Sequence, residues 1–290
     1  MPAPVVVVGA GQGGLQVAES LRNGGYEDEL VLLGDEPHAP YQRPPLSKGL
    51  LLGEMEPRQL MFRQPVIYRK RDIDLRLCSR VVKLDTNRRT LGLADGSSLG
   101  YEKLVLATGA RPRALQIPGA EANGVHSLRT LDDTQAIGAS LALAGRVVVI
   151  GGGFIGLEMA AVARKLGNEV VVVEAAERLM ARVVAPEISA FYLRLHRREG
   201  CRVLLKRGVA ELSQDASGRV SGVVLSNGER LEADLVVLGI GVQPNEELAA
   251  AAAIACDRGI VTDGDGRTSD PHVYAIGDCA ARRLADGSLR

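Results

Sequence analysis

No CxxC or CxxxxC pair occurs in this sequence, whose four cysteines (Cys78, Cys201, Cys256 and Cys279) are scattered along 290 residues. That scatter argues against a disulfide framework and against a redox dithiol handing electrons to a thiol substrate. It makes a reducing cytoplasm the expected compartment. A charge of one sign is lacking as well: Lys plus Arg and Asp plus Glu number 35 each. The balance therefore points neither to nucleic acid nor to an anionic membrane. No apolar stretch approaches a membrane span. The apolar run at the N-terminus is only strand-sized and has no basic region before it, so no secretory signal is expected. No metal site is expected either.

What the sequence has is 34 glycines, and two groups of them follow apolar strands. The first group reads Val5-Val6-Val7-Val8-Gly9-Ala10-Gly11-Gln12-Gly13-Gly14, the second Val147-Val148-Val149-Ile150-Gly151-Gly152-Gly153-Phe154-Ile155-Gly156. One GxGxxG is a weak signal. Two, each followed some 20 residues on by a second strand ending in an acid, read as two dinucleotide sites in one polypeptide. With 46% apolar and 24% charged residues, the chain is ordinary globular material, long enough for two compact domains.

In the first unit Gly9 opens the turn, Gly11 lets backbone approach a pyrophosphate, and Gly14 lets the helix pack close to the strand. A helix over 15–22 is predicted to stop at Asn23-Gly24-Gly25. A strand over 29–33 then delivers Asp35 and Glu36, and Asp35 is the expected ribose ligand. The segment Tyr41 to Lys48 carries two prolines and is expected to be a rigid loop. By spacing alone, Arg43 and Lys48 are either nucleotide contacts or an exposed basic turn. Strand-like runs follow over 84–95 and 99–106. They lead into Ala107-Thr108-Gly109, small residues suited to backbone contact with a flat ligand, and into Arg111-Pro112, the exit from the domain.

The second unit repeats the design. A strand over 147–150 meets the turn Gly151, Gly153, Gly156, and a helix over 157–166 stops at Gly167-Asn168. A strand over 170–173 then ends in Glu174. A carboxylate there bonds the 2′ and 3′ hydroxyls of NAD and repels the 2′-phosphate of NADP, so NADH is the expected nucleotide. Arg178 and Arg182 either soften that choice or are solvated charges. Short strands with turns at 216–218 and Asn227-Gly228 fill residues 203–238. Gly239 and Ile240 close the last strand, and the alanines 249–253 continue a helix from near Asn245. Asp278 follows a strand and a glycine, and is read either as a sugar ligand or as an N-cap. Arg194, Arg197 and Arg198 share a predicted helix, as a solvated face or a meeting point for an acidic protein.

These residues resemble the FAD-dependent ferredoxin reductases of bacterial P450 and ring-hydroxylating oxygenase systems, the putidaredoxin and rhodocoxin reductase type. The motif Tyr41–Lys48 (YQRPPLSK) is the most specific. Ala107–Arg113 (ATGARPR), Gly151–Glu158 (GGGFIGLE), Leu238–Asn245 (LGIGVQPN) and Arg267–Cys279 (RTSDPHVYAIGDC) follow in the family's order. The resemblance implies an α/β chain of two Rossmann-like, three-layer nucleotide-binding domains, glutathione-reductase-like, with the C-terminal interface domain absent. Residues 1–112 plus 243–290 would form the FAD domain and 113–242 the NAD domain.

By the same resemblance, Gly9, Gly11, Gly14, Asp35, Arg43, Lys48, Ala107, Thr108, Gly109, Arg111 and Asp278 would hold FAD. Gly151, Gly153, Ile155, Gly156, Glu174, Arg182, Gly239 and Ile240 would hold NADH. Lys48 and Glu158 would form a catalytic ion pair beside the nicotinamide, an electrostatic and orienting element that tunes the flavin after reduction; without the family, Glu158 reads as a solvent-facing helix acid. Cys279 is expected to be inert. The implied activity passes hydride from NADH to FAD and single electrons to a ferredoxin-type iron-sulfur protein. Family members continue past the GDC segment with a helix over the flavin and a third domain, whereas this sequence stops at Arg290. Other readings are a non-catalytic nucleotide-binding fragment, an NADH oxidase or rubredoxin reductase, and an apoptosis-inducing-factor-like flavoprotein.

Overall fold

The computed structural model describes residues 3–284 and 286–289. The chain forms two compact units: Met1–Gln42, Met61–Arg111 and Gln243–Arg290 make the first, Arg43–Leu60 and Pro112–Val242 the second.

The first unit is built on a five-stranded sheet in the order Val273–Ala275, Lys103–Leu106, Val5–Val8, Leu30–Leu33, Ile73–Arg76. Every pairing in it is parallel. Parallel strands buried on both faces need apolar side chains at every position, which is why the strand runs read VVVV and LVLL rather than alternating. Odd and even positions part company. Val6, Val8, Val31 and Leu33 pack with Leu84, Leu91 and Tyr101, while Val5, Val7, Leu30 and Leu32 pack with Leu15, Ala18 and Tyr68. Helix Gln12–Asn23 supplies Leu15 and Ala18 to the second face. A three-stranded antiparallel sheet (Val81–Asp85, Thr90–Leu93, Ser98–Gly100) supplies Leu84 and Leu91 to the first.

The second unit repeats this plan with the order Arg202–Leu205, Glu169–Glu174, Arg146–Ile150, Leu235–Leu238, Val125–Ser127. All its pairings are parallel too. Helix Phe154–Lys165 covers one face, and an antiparallel sheet of Val209–Gln214, Val220–Leu225 and Arg230–Glu232 covers the other. The strands and helices expected around the two glycine turns are present with ends shifted by a few residues, whereas the expected runs over 84–95 and 99–106 are each broken in two, giving Val81–Asp85, Thr90–Leu93, Ser98–Gly100 and Lys103–Leu106. The helix begun near Asn245 is short, Glu247–Ala251.

One segment departs from the expected division. Residues 43–60, assigned from sequence to the FAD domain, belong to the second unit. Leu51 and Leu52 pack on that unit's core, and the Arg43 guanidinium donates to the Arg129 carbonyl at 2.5 Å. Pro44 and Pro45 set a tight 3-10 turn over Pro44–Ser47, which fits the rigid loop read from the two prolines. No helix among the described residues is long and apolar enough to cross a membrane.

Candidate nucleotide sites and the Lys48–Glu158 pair

The two glycine turns have the same construction. Gly9 sits at φ +113° and Gly151 at φ +107°, backbone that L side chains rarely adopt. A Cβ on Gly9 would strike the Ala107 carbonyl, and one on Gly151 the Gly239 carbonyl. A Cβ on Gly14 or Gly156 would strike the carbonyl of Gly9 or Gly151 respectively. Those four glycines are thus required by the fold itself. Gly11 differs: a Cβ there meets nothing within 4 Å. Gly153 is nearly as open, with only the Gly239 carbonyl in ordinary contact at 3.8 Å. The two N-cap glycines therefore leave open space at the helix start, where a phosphate could approach the backbone.

Each turn feeds a helix of 12 residues whose N-cap is Gly11 or Gly153. Neither helix has a side-chain cap or an acid in its first turn. Unsatisfied N–H groups and the positive end of the helix dipole are left facing the turn, the arrangement that receives phosphate. The fit to a dinucleotide is good in both units.

Around the first turn, Ala107 and Thr108 lie against Gly9. Asn245 pins this stretch: its Nδ2 donates to the Thr108 carbonyl at 2.8 Å, its backbone N–H to the Gly109 carbonyl at 2.9 Å, and its own carbonyl accepts from Thr108 Oγ1 at 2.7 Å. Asn245 was not singled out from sequence; its place in the LGIGVQPN motif was the available signal. Arg111, expected to contact FAD, instead donates to Asn245 Oδ1 at 2.8 Å and pairs with Glu247 at 2.5 Å. That hydrogen bond holds the Glu247 carboxyl below the usual carboxylate range. Gly34 packs against Ala10 in the turn, a Cβ there lying 2.8 Å from the Ala10 Cβ, and so sets exposed Asp35 beside it. Glu36, the other acid at this strand end, accepts from the Tyr41 hydroxyl at 2.5 Å. Asp278 lies on an exposed 3-10 turn after strand Val273–Ala275. Its neighbour Ile276 bonds the Leu106 carbonyl and approaches Gly13. Cys279 is fully buried and its thiol faces the Leu106 and Ile276 carbonyls.

The second turn opens on a cleft of about 690 Å³. Gly151, Gly153, Ile155, Glu174, Arg182, Gly239 and Ile240 all line it. Gly156, the remaining residue expected there, is buried beneath against Gly151. Glu174 is already engaged: Oε2 accepts the Gly152 N–H at 2.6 Å and Oε1 the Ala176 N–H at 2.7 Å. It therefore ties the glycine turn to its own strand end, a role the spacing did not reveal. Arg178 is spent on structure, donating to the carbonyls of Val184 and Ala181 and to Ser189 Oγ. These bonds differ from the solvated charge that is one of its two sequence readings.

Within the same unit, Lys48 Nζ lies 2.7 Å from Glu158 Oε1. Ser47, only 2% exposed, donates its hydroxyl to the other oxygen, Oε2. Glu158 is thus held at both oxygens, which contradicts a solvent-facing helix acid. Ser47 was missed from sequence, although it sits in the same PPLSK run as Lys48. With Lys48 half exposed, the ion pair contributes on the order of 0–1 kcal/mol to stability. Its value is positional. On the helix Pro186–Arg198, Arg194 is exposed, Arg197 donates to the Val203 carbonyl and Arg198 pairs with Glu199. Among the described residues, no group of His, Cys, Asp and Glu is placed to hold a metal ion.

Comparison with known families matches residues 3–288 to the pyridine nucleotide-disulphide oxidoreductases. The chain belongs to this family. Rhodocoxin reductase of Rhodococcus erythropolis is 44% identical to this pyridine nucleotide-disulphide oxidoreductase over 277 residues, 96% of this chain and 65% of the relative. Putidaredoxin reductase of Pseudomonas putida is 43% identical, over 95% of this chain and 66% of its own length. The chain thus spans about two thirds of the length of these curated relatives. Among solved structures, the ferredoxin reductase of the CYP199A2 system from Rhodopseudomonas palustris superposes with TM-score 0.96 at 47% identity. That match covers 99% of this chain and 70% of the other. The covalent putidaredoxin reductase–putidaredoxin complex matches with TM-score 0.95 at 40% identity, over 99% of this chain and 70% of that one. The family resemblance read from the motifs and the doubly repeated Rossmann-type fold are both borne out.

Proposed function

We propose that this chain is the nucleotide-binding body of an NADH-dependent flavoprotein reductase that passes single electrons to a ferredoxin-type iron-sulfur protein. The observation that carries the reading is the pair of glycine turns of one construction, each at a bare helix N-terminus. The names of the relatives, rhodocoxin and putidaredoxin reductases, point the same way.

In this reading the first unit holds FAD. Gly9 and Gly14 shape the turn, Gly11 and the following N–H groups receive the pyrophosphate, and Asp35 offers its carboxylate to the adenosine ribose. Ala107, Thr108 and Gly109, pinned by Asn245, offer backbone, and Asp278 takes the ribityl chain. Arg111 supports Asn245 and Glu247 rather than the flavin directly. The second unit holds NADH, with Gly153 at the pyrophosphate and Gly239 and Ile240 at the nicotinamide end. Glu174 combines two duties, since a carboxylate has about four lone-pair sites and two backbone N–H groups leave room for ribose hydroxyls. When bound, the flavin supplies two-electron acceptance from NADH and one-electron release to the partner. Lys48 and Ser47 fix the Glu158 carboxylate, and the Lys48 charge is set to orient and stabilise during hydride transfer. The proposed compartment is the cytoplasm, consistent with four free cysteines.

The test is direct. The purified 290-residue chain, incubated with FAD, should turn yellow; anaerobic NADH should bleach it; and a candidate ferredoxin should then support cytochrome c reduction. A colourless chain that binds NADH would leave only a nucleotide-binding module. A yellow chain that NADH fails to bleach would remove the hydride step. Bleaching without ferredoxin-dependent cytochrome c reduction would remove the proposed partner.

A further inference from the structure

Three arginines line the cleft of the second unit, and the structure gives them different work. Arg178 is consumed by three internal acceptors. Arg182 and Arg207 are exposed, and they stand at opposite ends of the cleft. The sheet order supplies the map. The pyrophosphate belongs at the glycine turn after Arg146–Ile150, and the ribose 2′-hydroxyl at the acid ending the next strand, Glu169–Glu174. The third strand, Arg202–Leu205, lies outside that one, and Arg207 follows it immediately.

The Arg207 backbone N–H donates to the Glu174 carbonyl at 3.0 Å, and among the described residues its guanidinium bonds only the neighbouring Lys206 carbonyl. Arg182 lies the other way. A Cβ built on Gly241, just past strand Leu235–Leu238, would be 3.7 Å from Arg182 Nη2. The segment after Glu174 therefore crosses the mouth of the cleft, anchored midway by the Met180 N–H on the Gly152 carbonyl at 2.9 Å.

We propose that Arg207, beside Glu174, is the cation that meets a 2′-phosphate, and that Arg182 serves the pyrophosphate and nicotinamide end. The cleft then accepts NADP(H) as well as NAD(H), because one cation offsets the one carboxylate at the 2′ edge. This rests on the nucleotide reading of the cleft given above. Arg182 meets groups that both dinucleotides share, so it confers affinity without discrimination. Arg207 meets a group that only one of them carries, so it confers discrimination.

Calorimetric titration of the FAD-incubated full chain with NAD⁺ and NADP⁺ tests the assignment without turnover. Wild type should bind both, NAD⁺ more tightly. Arg207→Ala should leave NAD⁺ affinity within about twofold and weaken NADP⁺ about tenfold, the loss of one charge-assisted contact. Arg207→Lys should restore much of the NADP⁺ binding. Arg182→Ala should weaken both nucleotides by the same factor, about tenfold. Wild type that binds NAD⁺ with no measurable NADP⁺ binding would overturn the proposal. So would equal losses in Arg207→Ala, or a loss confined to NADP⁺ in Arg182→Ala. Wild type that binds neither would sink the nucleotide reading itself, and this inference with it.

Discussion

Gly11→Ala and Gly14→Ala are chemically the same change three residues apart, yet they should fail in different ways. A Cβ on Gly14 would run into the Gly9 carbonyl and crowd Val7. Main-chain atoms cannot swing aside, so the helix must lift from the strand. Overpacking of this kind costs about 1–3 kcal/mol, and for a chain of this size each kcal/mol lowers Tm by roughly 2–4 °C. Gly14→Ala without nucleotide should therefore melt roughly 2–12 °C below wild type.

A Cβ on Gly11 has no atom of the described residues within 4 Å, and its φ of −84° and ψ of −170° are ordinary extended backbone. The cost is limited to replacing a good N-cap residue, about 1 kcal/mol or less. The methyl group instead occupies the space a pyrophosphate needs against the bare N–H groups. FAD retention should fall at least about tenfold, the equivalent of one lost charge-assisted contact. Scanning calorimetry on the nucleotide-free variants separates the two costs, since bound nucleotide would itself raise Tm. Flavin absorbance after FAD incubation and desalting then reads retention. A Gly11→Ala protein that keeps flavin at the wild-type level would refute the reasoning. So would a Gly14→Ala protein whose nucleotide-free form melts with wild type.

Lys48→Met should move Tm by no more than a few degrees, since the half-exposed pair is worth at most about 1 kcal/mol, while slowing NADH bleaching of the flavin about tenfold or more in stopped flow. Glu174→Ala removes the acceptor for two backbone N–H groups, Gly152 and Ala176. It should lower Tm by roughly 4–10 °C and raise the NADP⁺-to-NAD⁺ affinity ratio without changing flavin content; unaltered Tm would show those bonds to be idle. Tyr68→Phe should stabilise, because the Tyr68 hydroxyl is buried with no hydrogen-bond partner among the described residues. The gain is about 1 kcal/mol, or roughly 2–4 °C in Tm. Burial also pushes Tyr68 up to about 12 from its ordinary 10. Folding therefore favours the neutral phenol, a contribution intact below pH 10 and lost as pH rises toward about 12. The Phe variant should lose that part of the alkaline fall in stability, and an unchanged alkaline limb would count against the assignment.

Much of this was readable from residue order because local physics decides it. VVVV and LVLL runs that each end in a glycine fit strands buried on both faces, as in a parallel sheet, and the turn residues Gly9, Gly14, Gly151 and Gly156 are dictated by collisions with nearby main chain. What could not be read depends on where distant segments travel. Ser47 and Lys48 meet Glu158 across more than a hundred residues, with no periodicity to announce it. Only the resemblance brought Lys48 and Glu158 together, and it said nothing of Ser47. Arg111 reads through the resemblance as a FAD contact, and Arg178 either as a charge softening the choice of NADH or as a solvated one. Their partners, Glu247 and Asn245 for one and the Val184 and Ala181 carbonyls for the other, are fixed by tertiary paths. The assignment of residues 43–60 went astray for the same reason. A proline-fixed turn can be predicted, but not which core its following leucines will join.

The two units also show how one plan yields two binding sites of different character. At the first turn the acids are divided: Glu36 is held by Tyr41, and Asp35 is exposed beside the turn. At the second, Glu174 alone shapes the loop and faces the cleft. A substitution of Asp35 should therefore touch nucleotide affinity with little structural cost, whereas a substitution of Glu174 mixes the two. Specificity changes are for that reason better sought at Arg207, whose exposed guanidinium has one partner, the Lys206 carbonyl, among the described residues. Its removal can alter the charge at the 2′ edge while leaving the Gly152 and Ala176 bonds to Glu174 in place.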